Sequence, residues 1–346
     1  MWALSVSSGC ENAGLAGDVD GSVDERADGA AADVAIADGA ATDDAVDGAG
    51  ADAAGIDAAR PDAGTSLPTF VGAWGGYGTA PGQFVEPSSV ELDSEGFVYV
   101  AGHEDRFQKF TADGVLVAIY GTAGAGDGEF NHPHGLAIDR RRGDLIYVGD
   151  QENHRLQVFT TAGAFVRAWG DAGFLHIHDV GIDPASGALF VGDYELDTLR
   201  RFAPTGELLA TYGGTGTGPG LFNGVWGVST DSAGNVFVAD TFNRRIQKLD
   251  RDGVFLAEWG GFDGAALVKP TGVFVDARDR VFICDSLANE VLVFDVDGTA
   301  LERWNLTEIV GSPSEPEDIV IDATGTHIYI AEVLGHRVLH LTRPAP

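Results

Sequence analysis

The chain has 346 residues, with 53 Asp and Glu against 21 Lys and Arg, and so a formal charge of −32 at neutral pH. A field of that sign repels phosphate, which excludes a sequence-independent nucleic-acid surface or a docking face for anionic lipid. Cationic groups and metal ions are the better-matched partners, and composition decides how much of the length folds.

Residues 1–16 open with Met1-Trp2-Ala3-Leu4-Ser5-Val6-Ser7-Ser8-Gly9-Cys10. Small residues before a cysteine, with an acidic flexible stretch after it, resemble the end of a shortened bacterial lipoprotein signal. The resemblance implies a lipid anchor at Cys10 and an extracytoplasmic place, on the outer membrane or secreted. A membrane would be met only through that anchor, because no other stretch approaches the ~20 apolar residues of a span. Residues 17–66 are mainly Ala, Asp and Gly and contain no aromatic side chain. Too little apolar surface is present there to offset chain entropy, so a disordered linker is expected. Acids outnumber bases by 12 over residues 1–66, which extends that linker by self-repulsion and leaves about −20 on residues 67–346.

A globule of the remaining length buries roughly three quarters of its unfolded surface and needs no disulfide. The second cysteine, Cys284, lies in the apolar run Val281-Phe282-Ile283-Cys284, where a thiol packs as a small hydrophobe.

From residue 67 the sequence repeats, and a fixed period of this length identifies a repeat architecture before any element is assigned. Phe130-Asn-His-Pro-His-Gly-Leu-Ala-Ile-Asp139, Leu145 to Asp150, Asn153-His-Arg155-Leu-Gln-Val-Phe159 and Trp169-Gly170 recur in the same order between Phe222 and Gly260. The acid closing the second apolar run falls at Asp150, Asp193, Asp240, Asp285 and Glu332, at intervals of 43, 47, 45 and 47 residues. An earlier copy, Pro87 to Gly121, has Gly102 in that place, which makes six units. Each reads as four short strands, and Asp113-Gly114, Asp252-Gly253 and Asp297-Gly298 supply hairpin turns between the third and fourth. Six such units make an all-β fold, a six-bladed β-propeller over residues 67–343, with the small-residue first strand crowding the axis. The last unit ends after three strands, and Thr69 to Gly75 is an unaccompanied fourth strand at the other end. The N-terminal strand is therefore expected to close the last blade and remove its free edges.

The pattern Asp-x-x-Asn-x-Arg-Ile-Gln within Pro-x-Gly…Trp-Gly units resembles the NHL repeat family over about residues 68–343. The resemblance implies the propeller; its chemistry has to come from the site.

Strand order places the start of each first strand and the loop between second and third strands on one face. The residue opening each first strand then belongs to a ring round the channel mouth: Ser88, His134, His178, Trp226, Thr271 and Glu317. Two imidazoles, an indole and a carboxylate on one concave opening make the candidate binding site. His134, His178 and Glu317 are also the donor types of an open zinc site, so a divalent metal is a candidate cofactor. Calcium at the recurring loop acids is the weaker option: those acids are expected to accept backbone N–H groups of their own loop, with Arg155, Arg245 and Arg337 as charged partners. The remaining histidines considered, His103, His132, His154, His327, His336 and His340, read as surface residues.

Pro133-His134-Gly135-Leu136 and Pro316-Glu317-Asp318 are similar to the Pro-His motifs of peptidyl-hydroxyglycine lyases, six-bladed propellers that hold zinc at this ring. The resemblance implies Tyr194 as a catalytic tyrosine, but Trp226 stands where the third histidine is expected. Two functions follow. One is a non-catalytic module presenting its top face to a peptide, glycan or protein, for which a long tether adds reach. The alternative is a metal-dependent lyase or lactone hydrolase using His134, His178, Glu317 and Tyr194.

Overall fold

The computed structural model describes residues 67–170 and 173–344. The expected anchor at Cys10 and the linker of residues 17–66 lie outside the described residues.

Six four-stranded antiparallel sheets are present, five of them in sequential strand order from an inner to an outer strand and the sixth with the N-terminal strand outermost. The inner strands are Pro87–Leu92, Pro133–Asp139, Ile177–Ile182, Val225–Thr230, Pro270–Val275 and Pro316–Ile321, which open blades 1 to 6. Second strands such as Val236–Asp240 are buried along their whole length, because neighbouring blades cover both faces. Outer strands such as Phe255–Trp259 alternate between half-buried and exposed positions, since only one face has a neighbour. The apolar residues accordingly gather in clusters between adjacent blades; one holds Tyr99, Phe107, Phe130 and Phe159.

Closure follows the expected route. Thr69–Gly75 runs antiparallel to Arg337–Thr342, from Thr69 opposite Thr342 to Gly75 opposite Arg337, and completes blade 6. A second seal recurs between blades, where the aromatic ending one outer strand lies on the turn glycine of the next blade. A Cβ on Gly253 would stand 2.1 Å from the Tyr212 ring, and Gly253 has φ +78°, so both space and backbone require glycine there.

Small inner-strand residues permit close approach. A Cβ on Gly227 would lie 2.2 Å from the carbonyl oxygen of Thr271 in the next blade. At this level every inner strand slips its register: the ladder skips Ser88, His134, His178, Trp226, Thr271 and Glu317 in their respective blades. The ring residues are thus bulge residues, released from pairing at the channel mouth. Two small elements were not apparent in the repeat: the ribbon of Gly261–Phe262 with Ala265–Ala266, and the helix Leu306–Val310 capped by Asn305.

Candidate functional site

The mouth is framed by the recurring loop acids. Asp240 is fully buried and accepts hydrogen bonds from the Asn223 amide (2.7 Å), Asn243 Nδ2 (2.9 Å), Arg245 Nε (2.6 Å) and Gln247 Nε2 (2.9 Å). Asp150 repeats the set with Asn131, Asn153, Arg155 and Gln157. Asp150 and Asp240 therefore tie the loop entering their blade to the loop between the second and third strands. Backbone donors from the acid's own loop, as expected, are the Leu196 amide to Asp193 and the Gly335 amide to Glu332, whereas Asp150, Asp240 and Asp285 take theirs from the entering loop. Glu332 has Arg337 as its charged partner, as expected. Asp150 and Asp240, so fully engaged, have no lone pairs to spare for calcium.

Inside this frame the ring residues make one run of contacts. The His134 and His178 ring centroids are 3.8 Å apart, and His134 Nδ1 lies 2.9 Å from the His178 carbonyl oxygen. His178 meets the Trp226 ring at 4.2 Å, and Tyr194 stands edge-on to that indole at 5.4 Å. The Trp226 indole N–H donates to Glu317 Oε1. That bond passes over blade 5, whose ring residue is small. Thr271 is fully buried and its hydroxyl is directed at the Pro316 and Cys284 carbonyls, so it is a structural residue and not part of the binding surface. Lys269 Nζ sits 4.4 Å from the Trp226 ring centroid, a cation over an indole face. Ser88 Oγ is buried with no hydrogen-bond partner.

Burial sets the electrostatics. It pushes both His134 and His178 well below the usual imidazole range, so the pair is neutral at physiological pH. Burial raises the Glu317 carboxyl to about 7, with Lys269 and the indole N–H drawing it only partly back. One step down the channel Asp318 is raised by burial to about 6, while accepting from Ser89 Oγ at 3.0 Å and the Val90 amide at 2.9 Å. Asp179 is pushed up by burial and by the charge of Asp318. Asp179, Asp318 and Glu91 line a cavity of about 380 Å³ that opens toward the opposite face.

The proposed metal ligands are not assembled as a set. His134 and His178 touch, but one ring nitrogen of His134 is turned to a carbonyl, and Trp226 stands between the imidazoles and Glu317. Among the described residues no three His, Cys, Asp or Glu side chains are grouped to hold a metal ion. The donors present do not fit zinc or calcium.

Several histidines differ from their expected surface role. His340 is buried and stacks on Tyr329 at 4.7 Å, because blade closure covers it. His103 lies 4.9 Å from His132 and 5.8 Å from His134, which extends the ring outward. His176 was missed; it lies against Tyr194 at 5.6 Å and within 3.6 Å of Glu152 and 3.9 Å of Glu195. The alternation Leu175-His176-Ile177-His178 was the available signal, since residues two apart on a strand share a face.

Comparison with known proteins agrees with this architecture. The family model of the NHL repeat matches residues 130–159. The protein brain tumor of Drosophila melanogaster is 28% identical over 141 residues, covering 40% of this chain and 14% of that protein. Human NHL repeat-containing protein 3 is 29% identical over 192 residues, covering 49% of this chain and 54% of its own. The chain thus spans about half or less of the curated relatives it matches. Among solved structures, a catalytically inactive virginiamycin B lyase from Staphylococcus aureus with quinupristin superposes with a TM-score of 0.57 at 13% identity, over 80% of this chain and 98% of the lyase. At that identity the likeness concerns the fold.

Proposed function

We propose that this six-bladed propeller of NHL repeats is a protein-binding module that grips a peptide segment of its partner at the channel mouth. Trp226 carries the reading. It is the one aromatic among the six ring residues, it stays half-exposed, and it is fixed by Glu317 on one side and His178 on the other. A rigid indole beside buried polar groups has the composition of an interface hot spot. Selection of phage-displayed peptides on the full chain tests this: selected peptides should lose at least about tenfold in affinity on Trp226→Ala, a hot-spot-sized effect. Undiminished binding to that variant sinks the assignment.

The proposal includes a location outside the cytoplasm with Cys10 acylated, supported by Ser7-Ser8-Gly9-Cys10 and the acidic stretch after it. Incorporation of an alkynyl fatty acid in bacteria, lost in Cys10→Ala, checks it; equal labelling of both chains refutes it.

A further inference from the structure

The six loops between second and third strands are equivalent by the repeat, so the second residue after each loop acid, or after Gly102 in blade 1, holds the same station on the mouth face. In blades 1 to 3 that residue is Glu104, Glu152 and Glu195; in blades 4 to 6 it is Phe242, Leu287 and Leu334. The backbone bears out the equivalence, since Glu152, Phe242 and Leu287 are each the middle residue of a one-turn 3-10 helix. Phe242, Leu287 and Leu334 are 37%, 56% and 53% exposed. Across the mouth, the Glu152 and Glu195 side chains are 45% and 53% exposed.

Exposed apolar residues on the outer strands, such as Val71, Val117, Val166, Leu208, Leu256 and Leu301, occur in all six blades and belong to the strand pattern. The loop station is different, because one half of the ring is acidic and the other apolar. Phe242 packs one edge on Tyr194, at 5.9 Å, while Leu287 and Leu334 are more than half exposed, and three such apolar residues on one side of a face mark a contact surface. The acids opposite select for positive charge.

We propose that the mouth face docks a polypeptide segment with large apolar side chains toward one end and Lys or Arg toward the other. Its apolar end rests on Phe242, Leu287 and Leu334, and its basic end lies over Glu152 and Glu195. This rests on the protein-binding reading above and adds the partner's composition and direction.

The test is selection on the full chain from random peptides of about twelve residues, which reach ~40 Å when extended. The selected peptides are then titrated against variants. They should carry both residue classes. The pair Glu152→Lys and Glu195→Lys should weaken binding at least about tenfold and flatten its dependence on salt. The triple Phe242→Ser, Leu287→Ser and Leu334→Ser should weaken it similarly with the salt dependence intact, and Leu287→Ser alone serves if the triple fails to fold. Leu256→Ser, on the outer strand, should change nothing. Peptides that bind without basic residues, or that ignore both sets of variants, overturn this proposal and leave the protein-binding reading standing. Enrichment of no peptide overturns both, and binding of oligouridine in place of peptides does the same.

Discussion

Replacing Glu317 by Gln isolates the cost of placing a carboxylate at the mouth. The residue is 7% exposed, and burial raises its pKa from 4.5 to about 7. The folded protein therefore holds this proton more tightly than the unfolded chain does. Stability from the group is full below about pH 4.5 and is lost as pH rises through about 7. A difference of about 2.5 in pKa, at 1.36 kcal/mol each, amounts to about 3 kcal/mol. Asp318, raised from 3.8 to about 6, weakens the fold over an overlapping range, so the wild-type decline exceeds the Glu317 share alone. Gln keeps an oxygen for the Trp226 indole N–H and removes only the ionisation. Urea denaturation followed by tryptophan fluorescence, from pH 4.5 to 8.5 at fixed ionic strength, reads the difference. The variant should lose about 3 kcal/mol less than wild type across that range, a melting-temperature advantage of about 6 °C at the alkaline end that vanishes at the acid end. Parallel pH profiles for the two proteins would refute the burial argument.

Removing residues 1–66 should leave folding intact, whereas removing residues 1–75 deletes the strand paired with Arg337–Thr342 and should lower the melting temperature and promote aggregation; equal melting of the two truncations contradicts closure. Asp240→Ala strips the fully buried partner of Arg245 and should cost about 3–5 kcal/mol in denaturant titrations, and a loss under 1 kcal/mol would show the loop frame to be dispensable. Cys284, fully buried, should resist a bulky maleimide until the protein unfolds, and rapid native labelling measured by mass spectrometry would overturn its placement. Gly253→Val should destabilise more than Gly264→Val, because a side chain at 253 strikes Tyr212 while 264 opens onto free space, although both glycines have positive φ; equal losses in thermal melts would remove the interblade seal.

The sequence alone determined the number of blades, the strand order within each, the closure by Thr69–Gly75 and the buried thiol of Cys284, because periodic burial is a local pattern repeated along the chain. It also identified the ring positions, since each lies at a fixed place in its repeat. Which ring residues work together was decided in three dimensions. Trp226 reaches Glu317 across 91 residues and past Thr271, and that contact, with His134 turned to a carbonyl, dissolves the metal trio that residue types alone suggested. The inner-strand bulges that release the ring residues leave no mark in hydrophobic periodicity, because a skipped residue changes pairing without changing composition. His103 and His132 approach the ring from separate blades, a proximity set by how tightly the inner strands pack about the axis. The carboxyls of Asp179 and Asp318 likewise came together only once blades 3 and 6 faced each other across a narrow channel, where burial raises both and the charge of Asp318 adds to the rise at Asp179.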